Sequence, residues 1–256
     1  MTGAGLLDTH CHVSAYADPV SVIRAADATS TSIVAVTESP EEYRRLRTRL
    51  GPRGNVDVAL GLHPLLAASF TPNHLARFFR LVPETTWIGE VGLDFSRVGI
   101  ATKRQQARIF DVVLTEAQPG RHPLTVHSRG AENEVIQLLT DAQLPAILHW
   151  YTGPTGAIDQ ALAAGLYFSF NVAMTRSKKF AALLRAIPPE RTLLETDGPY
   201  ARSGNGPAHP HELPGVVTAL AGGWGRSIDD AAALICENQK QFLASASGDR
   251  TREHGA

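Results

Sequence analysis

Apolar and polar positions alternate along this chain in two rhythms that take turns. Short runs rich in β-branched and aliphatic residues, such as Ser32–Thr37 (SIVAVT), Val56–Leu62 (VDVALGL) and Thr86–Val91 (TWIGEV), are almost continuously apolar. Such runs suit parallel strands whose outer face is covered. Eight of them are predicted: Gly5–Cys11, Ser32–Thr37, Val56–Leu62, Thr86–Gly92, Pro123–His127, Ala146–His149, Tyr167–Asn171 and Thr192–Thr196. Between them lie stretches with helical periodicity. Ser39-Pro40-Glu41 and Thr71-Pro72-Asn73 each set a capping side chain before a proline at the first helical position. Strand and helix alternating to the end predict one parallel sheet, and eight such units favour its closure. The expected fold is therefore an α/β class TIM-type (β/α)8 barrel with a C-terminal helix, about Ser227–Ala244. Residues 1–247 are read as one hydrolase domain, and 248–256 as a flexible polar tail. Ala201–His211, with glycines and prolines among polar residues, reads as a long loop.

Barrel enzymes carry reactive groups at the carboxyl ends of the strands, so the residue that ends each strand is informative. The first strand ends Asp8-Thr9-His10-Cys11-His12, and alternation sends His10 and His12 to one face. Cys11 then points the other way, into the core. The fourth strand ends in Glu90, the fifth in His127, the sixth in His149 and the eighth in Asp197. A single histidine at such a place is most often a hydrogen-bonded core residue, and a lone His-x-His is a weak signal. Six such residues on five strands are a strong one. Imidazole with carboxylate suits zinc, manganese or iron, and a carboxylate can bridge two ions. A pair of ions activates water and neutralises charge on a phosphoryl or carbonyl oxygen. His63, ending the third strand, is a ligand, a substrate-phosphate contact or a hydrogen-bonding neighbour of the ligands, with the phosphate contact favoured. His209 and His211 read as a solvated segment, and His74, His122 and His254 as surface residues.

Composition narrows the partners. Lys plus Arg number 24 against 25 Asp plus Glu, so no global basic field announces a polyanion, which would have to be gripped locally. The basic residues do gather on the loops of the active rim: Arg97, Lys103, Arg104, Arg129, Arg176, Lys178, Lys179 and Arg202. They are either a phosphate-holding ring or ordinary solvated side chains. Phe95, Trp150, Tyr151 and Tyr200 on the same loops either stack bases or seal the barrel top. Two distant cysteines, no leader pattern and no apolar run of membrane-spanning length make a soluble cytoplasmic protein, with no membrane partner, the expectation.

The words Asp8-Thr9-His10-Cys11-His12, Gly61-Leu62-His63-Pro64, Gly89-Glu90-Val91-Gly92-Leu93-Asp94, Val126-His127-Ser128-Arg129, Leu148-His149-Trp150 and Glu195-Thr196-Asp197-Gly198-Pro199-Tyr200 resemble, in order, those of the TatD family of metal-dependent deoxyribonucleases. The resemblance implies a (β/α)8 barrel and two divalent metal ions (Mg, Mn or Zn). His10, His12, Glu90 and Asp197 would hold one ion, and Glu90, His127 and His149 the other. It implies hydrolysis of DNA phosphodiester bonds, as a 3′→5′ exonuclease on single-stranded DNA, with Glu90 and Asp197 catalytic and His63, Arg129 and Trp150 contacting substrate. Ser203–Pro210 lacks the basic run that housekeeping members carry after the Asp-x-Pro-Tyr word. Leu81–Thr85, His127-Ser128-Arg129 and Leu148–Tyr151 are more similar to the TatD-like nuclease of Qat-type anti-phage defence cassettes, which implies partner proteins from such a cassette. Two rival readings remain at this point. One is an amidohydrolase-type enzyme cutting a small-molecule amide or ester. The other is a metal-bearing scaffold subunit of a defence complex.

Overall fold

The computed structural model describes residues 5–247; the expected tail at 248–256 and His254 lie outside the described residues. All eight predicted strands form: β1 (Leu7–Cys11), β2 (Ser32–Ala35), β3 (Val56–Leu60), β4 (Trp87–Gly92), β5 (Leu124–His127), β6 (Ala146–Leu148), β7 (Tyr167–Phe170) and β8 (Thr192–Leu194). They pair in parallel in sequence order, and β8 closes on β1 through Asp8 opposite Leu194, giving a closed barrel. Several strands stop one or two residues before the sequence suggested.

Helices lie between the strands and around them: α1 (Pro19–Asp27), α2 (Pro40–Leu50), α3 (Pro72–Leu81), α4 (Lys103–Glu116), α5 (Glu132–Ala142), α6 (Ile158–Ala163), α7 (Val172–Thr175), α8 (Phe180–Ala186), α9 (Leu213–Trp224) and α10 (Ile228–Ala246). The caps are where the sequence put them. Ser39 Oγ accepts the N–H of Glu42, Thr71 donates its N–H to the Nδ1 of His74, and Ser227 Oγ accepts the N–H of Asp230.

Two expectations are corrected. The stretch 201–211 is not a plain loop. Arg202–Ser203 (β9) and Gly206–Pro207 (β10) form a small antiparallel hairpin, and α9, which the reading did not anticipate, follows it. Its Pro214, Gly215, Gly222 and Gly223 weaken the helical signal, whereas burial of Val216, Val217 and Leu220 against the barrel holds it in place. His122 is fully buried in the turn before β5, not on the surface, with its Nδ1 accepting the Gln118 N–H at 3.0 Å.

The amino end of the barrel is shut by α10. Phe242 lies against Trp87 and Tyr167, with ring centroids 5.9 and 5.2 Å away. Asn238 donates to the carbonyls of Pro189 and Thr192 at 2.7 and 2.8 Å, and Gln239 accepts the Leu7 N–H at 3.0 Å. The helix thus satisfies strand-end groups that burial would otherwise orphan. Because Phe242 is 1 % exposed, Phe242→Ala should cost about 3–5 kcal/mol of stability in urea denaturation. No helix among the described residues is long and apolar enough to cross a membrane. Only the carboxyl end of the barrel remains open.

Candidate metal centre

Alternation along β1 does place both histidines on one side. His10 Nε2 lies 3.5 Å from Glu90 Oε2 and 3.6 Å from Asp197 Oδ1; His12 Nε2 lies 3.1 and 3.4 Å from the same two oxygens. The other oxygen of Glu90 faces three further imidazoles. Oε1 is 2.7 Å from His127 Nδ1, 3.0 Å from His149 Nε2 and 3.3 Å from His63 Nε2. One buried carboxylate from β4 is therefore surrounded by five imidazoles from β1, β5 and the turns after β1, β3 and β6. Cys11, as expected, is fully buried on the opposite side.

These spacings suit ligands of common ions. Two donors each ~2.1 Å from one ion, at tetrahedral or octahedral angles, stand ~3.0–3.4 Å apart. His10, His12 and Asp197 form one such convergent group, His63, Glu90 and His127 another, and Glu90 and His149 also converge with His10. The ring nitrogens are aimed as ligands require. His10 Nδ1 is tied to Thr125 Oγ1 at 2.6 Å, which leaves Nε2 buried without a hydrogen-bond partner and turned inward. His127 gives its Nε2–H to Asp94 Oδ2 at 2.9 Å, presenting Nδ1 to the centre. Such carboxylate backing fixes the tautomer and raises ligand basicity. His63 Nδ1 accepts the Leu65 N–H at 3.2 Å and so caps the 3-10 turn that follows it.

Electrostatics agree with this arrangement. Burial, and the neighbouring ring of His149 stacked 3.8 Å away, push His10 down to about 3, so it stays neutral. Burial also works against charge on His12 and His127, yet the carboxylates around them win. Asp197 and Glu90 raise His12 to about 10, and Asp94 and Glu90 raise His127 to about 9. Glu90 would be disfavoured as an anion by burial, but the surrounding imidazoles hold it well below the usual carboxylate range. With both His12 and His127 raised above neutrality, each would have to give up a proton for its inward nitrogen to hold an ion. Loading the ion-depleted protein at pH 7 should release about two protons. Affinity should weaken as pH falls below about 9 and level off above about 10. Calorimetric titration in buffers of differing ionisation enthalpy counts the protons, and a count near zero would contradict the assignment.

Three acidic residues that sequence reasoning left without a role support the candidate ligands. Asp94 backs His127. Although burial opposes it, the bonds from His127 and Ser96 hold its carboxyl at about 2. Its signal was present, four residues beyond Glu90 at the end of the same strand. Glu195 is wholly buried between β7 and β8, accepting from Ser169, Asn171 and the N–H of Trp150 at 2.5, 2.8 and 3.0 Å, with His149 Nδ1 3.8 Å away. Asp8 accepts from Thr196 N and Oγ1 at 2.9 and 2.6 Å, pinning β8 to β1 directly below Asp197; burial pushes it up to about 7.

The cluster forms the floor of a cleft of about 840 Å³, whose wall includes Ser128, Arg129, Trp150, Thr152, Leu65 and Tyr200. Of the eight rim cations only Arg129 lines it. Lys103 lies 4.3 Å over the ring of Phe95 and pairs with Glu134, Lys179 donates to the Thr152 carbonyl, and Arg202 is hooked onto the Asn205 carbonyl of its own hairpin. Three of the eight, Lys103, Lys179 and Arg202, are thus held in local contacts away from the cleft. Tyr151 is fully buried, its hydroxyl donating to the Pro154 carbonyl at 2.7 Å, so it seals the barrel top, whereas Trp150 and Tyr200 face the cleft.

The family profile described as "TatD related DNase" matches residues 7–244, almost every described residue. The chain belongs to the TatD family. A curated relative from Musicola paradisiaca, named "3'-5' ssDNA/RNA exonuclease TatD", is 31% identical over 84% of this chain and 89% of its own length. The "Uncharacterized metal-dependent hydrolase TatD" of Mycobacterium tuberculosis is 29% identical over 92% and 97%. The crystal structure of the TatD homologue YjjV from Escherichia coli K12 superposes with a TM-score of 0.81 at 23% identity, over 93% of this chain and 97% of that one, which is a likeness of fold. This TatD chain is accordingly an enzyme, a metal-dependent hydrolase of the nuclease class, with clusters of side chains fit to hold metal.

Proposed function

We propose that the chain removes nucleotides from the 3′ end of single-stranded DNA, working with two divalent ions that share Glu90. The observation that carries this is the division of Glu90 between two groups: Oε2 turned to His10 and His12 beside Asp197, Oε1 turned to His63, His127 and His149. A carboxylate so divided could serve two ion sites at once. The donor set, rich in imidazole, suits zinc or manganese better than magnesium. When bound, the ions lower the pKa of water and neutralise charge on phosphate oxygens.

The chain's own residues do the rest. Asp197 turns one oxygen to His10 and His12, and its second oxygen orients the attacking water and takes its proton. His63 is assigned to the second ligand group, in place of a phosphate contact, because its Nε2 points at the shared carboxylate. Arg129, exposed at the cleft wall, holds a substrate phosphate, and the half-buried Trp150 beside it offers a face for the terminal base. Glu90 in the bridging position, where amidohydrolases commonly use a carboxylated lysine, favours a phosphodiester over an amide. A named exonuclease among its relatives supports the same direction.

Metal analysis coupled to hydrolysis of end-labelled single-stranded DNA, double-stranded DNA and RNA tests this reading. Release of mononucleotides from the 3′ end is expected. Turnover confined to small amides or esters would replace it with the amidohydrolase reading, and copurification with neighbours without any nuclease activity would replace it with the scaffold reading. Within the family, the words around Leu81–Thr85 and Leu148–Tyr151 support a place beside the TatD-like nucleases of Qat-type defence cassettes. Loss of phage protection on deleting the gene from such a cassette is the outcome that reading requires.

A further inference from the structure

A second groove, of about 560 Å³, opens beside the metal cleft. The two share His12, Glu38 and Tyr200, so they are continuous around the tyrosine ring, which is 56 % exposed. One wall of the second groove is α2, with Arg45 and Arg49 on it. These arginines are one helical turn apart, about 6 Å along the axis, a spacing comparable with successive phosphates on an extended strand. The helix starts at Ser39, next to the rim residue Glu38, and runs back along the barrel wall. Arg45 and Arg49 therefore follow one another with increasing distance from the metal cluster.

Their surroundings leave them free to bind. Both are exposed, and among the described residues neither makes a hydrogen bond or an ion pair. Arg47 and Arg77 nearby are by contrast engaged: Arg47 donates to Tyr43 at 3.1 Å and to Glu84 at 3.5 Å, and Arg77 pairs with Glu41 at 2.5 Å. The groove's two carboxylates are also occupied. Glu42 accepts from Ser14 and from the Glu38 N–H, and Glu38 accepts from the Tyr200 hydroxyl at 3.3 Å. With net charge near zero over the whole chain, a polyanion has to be gripped by local cations, and Arg45 and Arg49 are such a pair in the groove that adjoins the cleft.

We propose that α2 carries a phosphate track, in which Arg45 and Arg49 bind two consecutive backbone phosphates of the nucleic-acid strand whose end lies in the metal cleft. The track rests on the nuclease reading above and adds the path of the strand beyond the reacting nucleotide. Length preference follows from it. Oligonucleotides too short to reach Arg45 lose these contacts, whereas small phosphodiesters never make them.

The experiment measures binding apart from turnover. Anisotropy of a labelled single-stranded oligothymidylate is followed against salt for the native protein, R45A/R49A and, as a charge control on the same helix, R47A. The double variant should bind on the order of tenfold more weakly at low salt, with a salt slope less negative by about 1.4, roughly 0.7 per lost phosphate contact. R47A should bind like the native protein. Turnover of bis(p-nitrophenyl) phosphate should be the same in all three, which also shows that the double variant is folded. Native binding and salt slope in R45A/R49A would overturn the track, as would equal weakening by R47A. If instead the native protein binds the oligonucleotide through the pair but hydrolyses neither substrate, the track stands and the nuclease reading falls.

Discussion

Glu90→Gln should lower the rate of metal-dependent hydrolysis by about 10²–10³-fold or more, the loss seen when one preorganised charged group is removed from a reacting centre. The substitution keeps the shape of the side chain and removes its charge. Both oxygens are in use, Oε2 toward His10 and His12 and Oε1 toward His63, His127 and His149, so an amide cannot serve both groups of donors. The amide nitrogen would point a donor at imidazole nitrogens needed as acceptors. Metal content should fall together with activity, while circular dichroism stays native. The same measurement separates the two groups. His12→Ala should leave the His63, Glu90 and His127 group intact, whereas Glu90→Gln should weaken both. A purified Glu90→Gln protein with full activity and full metal content would remove Glu90 from the chemistry.

The second large effect is on folding. A Cβ added at Gly61 would lie 1.6 Å from the carbonyl oxygen of Thr37 and 2.9 Å from the backbone nitrogen of Glu90. Both neighbours are backbone and neither can step aside. Thr37 O accepts the Glu90 N–H at 3.1 Å, and Thr37 Oγ1 accepts the Gly61 N–H at 3.2 Å, so the three strand ends are tied at this point. Gly61→Ala should therefore cost at least about 3 kcal/mol or prevent folding. Gly54→Ala, with nothing within 4 Å of its added Cβ, serves as control and should change the melting temperature little. The midpoint of thermal unfolding for the two variants distinguishes crowding from a general loss of chain flexibility. Gly92 is under the same constraint one strand further on, with φ +127° and an added Cβ 2.1 Å from the His127 carbonyl oxygen. Glycine at these places lets β2 to β5 approach closely enough for Glu90 to reach its imidazoles.

Much of this was legible in the order of residues, because strand patterning is a local property. Eight apolar runs separated by capped helices specify eight βα units, and alternation alone sends His10 and His12 to one side with Cys11 to the other. The ends of those runs then name Glu90, His127, His149 and Asp197. A neutral overall charge told in advance that any grip on a polyanion is local. Other features depended on elements far apart in the chain. Asp94 backs His127 only because β4 and β5 are neighbours, and Glu195 reaches the Trp150 N–H only across the mouth of β6 to β8. Helix α9 carries glycines and a proline that argue against it locally, and packing overrules them. His122 looked like a surface residue until the turn before β5 closed over it.

The division follows from what each level of structure can encode. The sequence by itself determined the eight strands, the barrel and the set of side chains at its open end, since period and position along a strand decide those. Only closure of the barrel decided which nitrogen meets which oxygen, how Glu90 is divided between two groups, and that Arg45 and Arg49 stand unpaired beside the cleft. Those are distances between strands and helices, and no local pattern carries them.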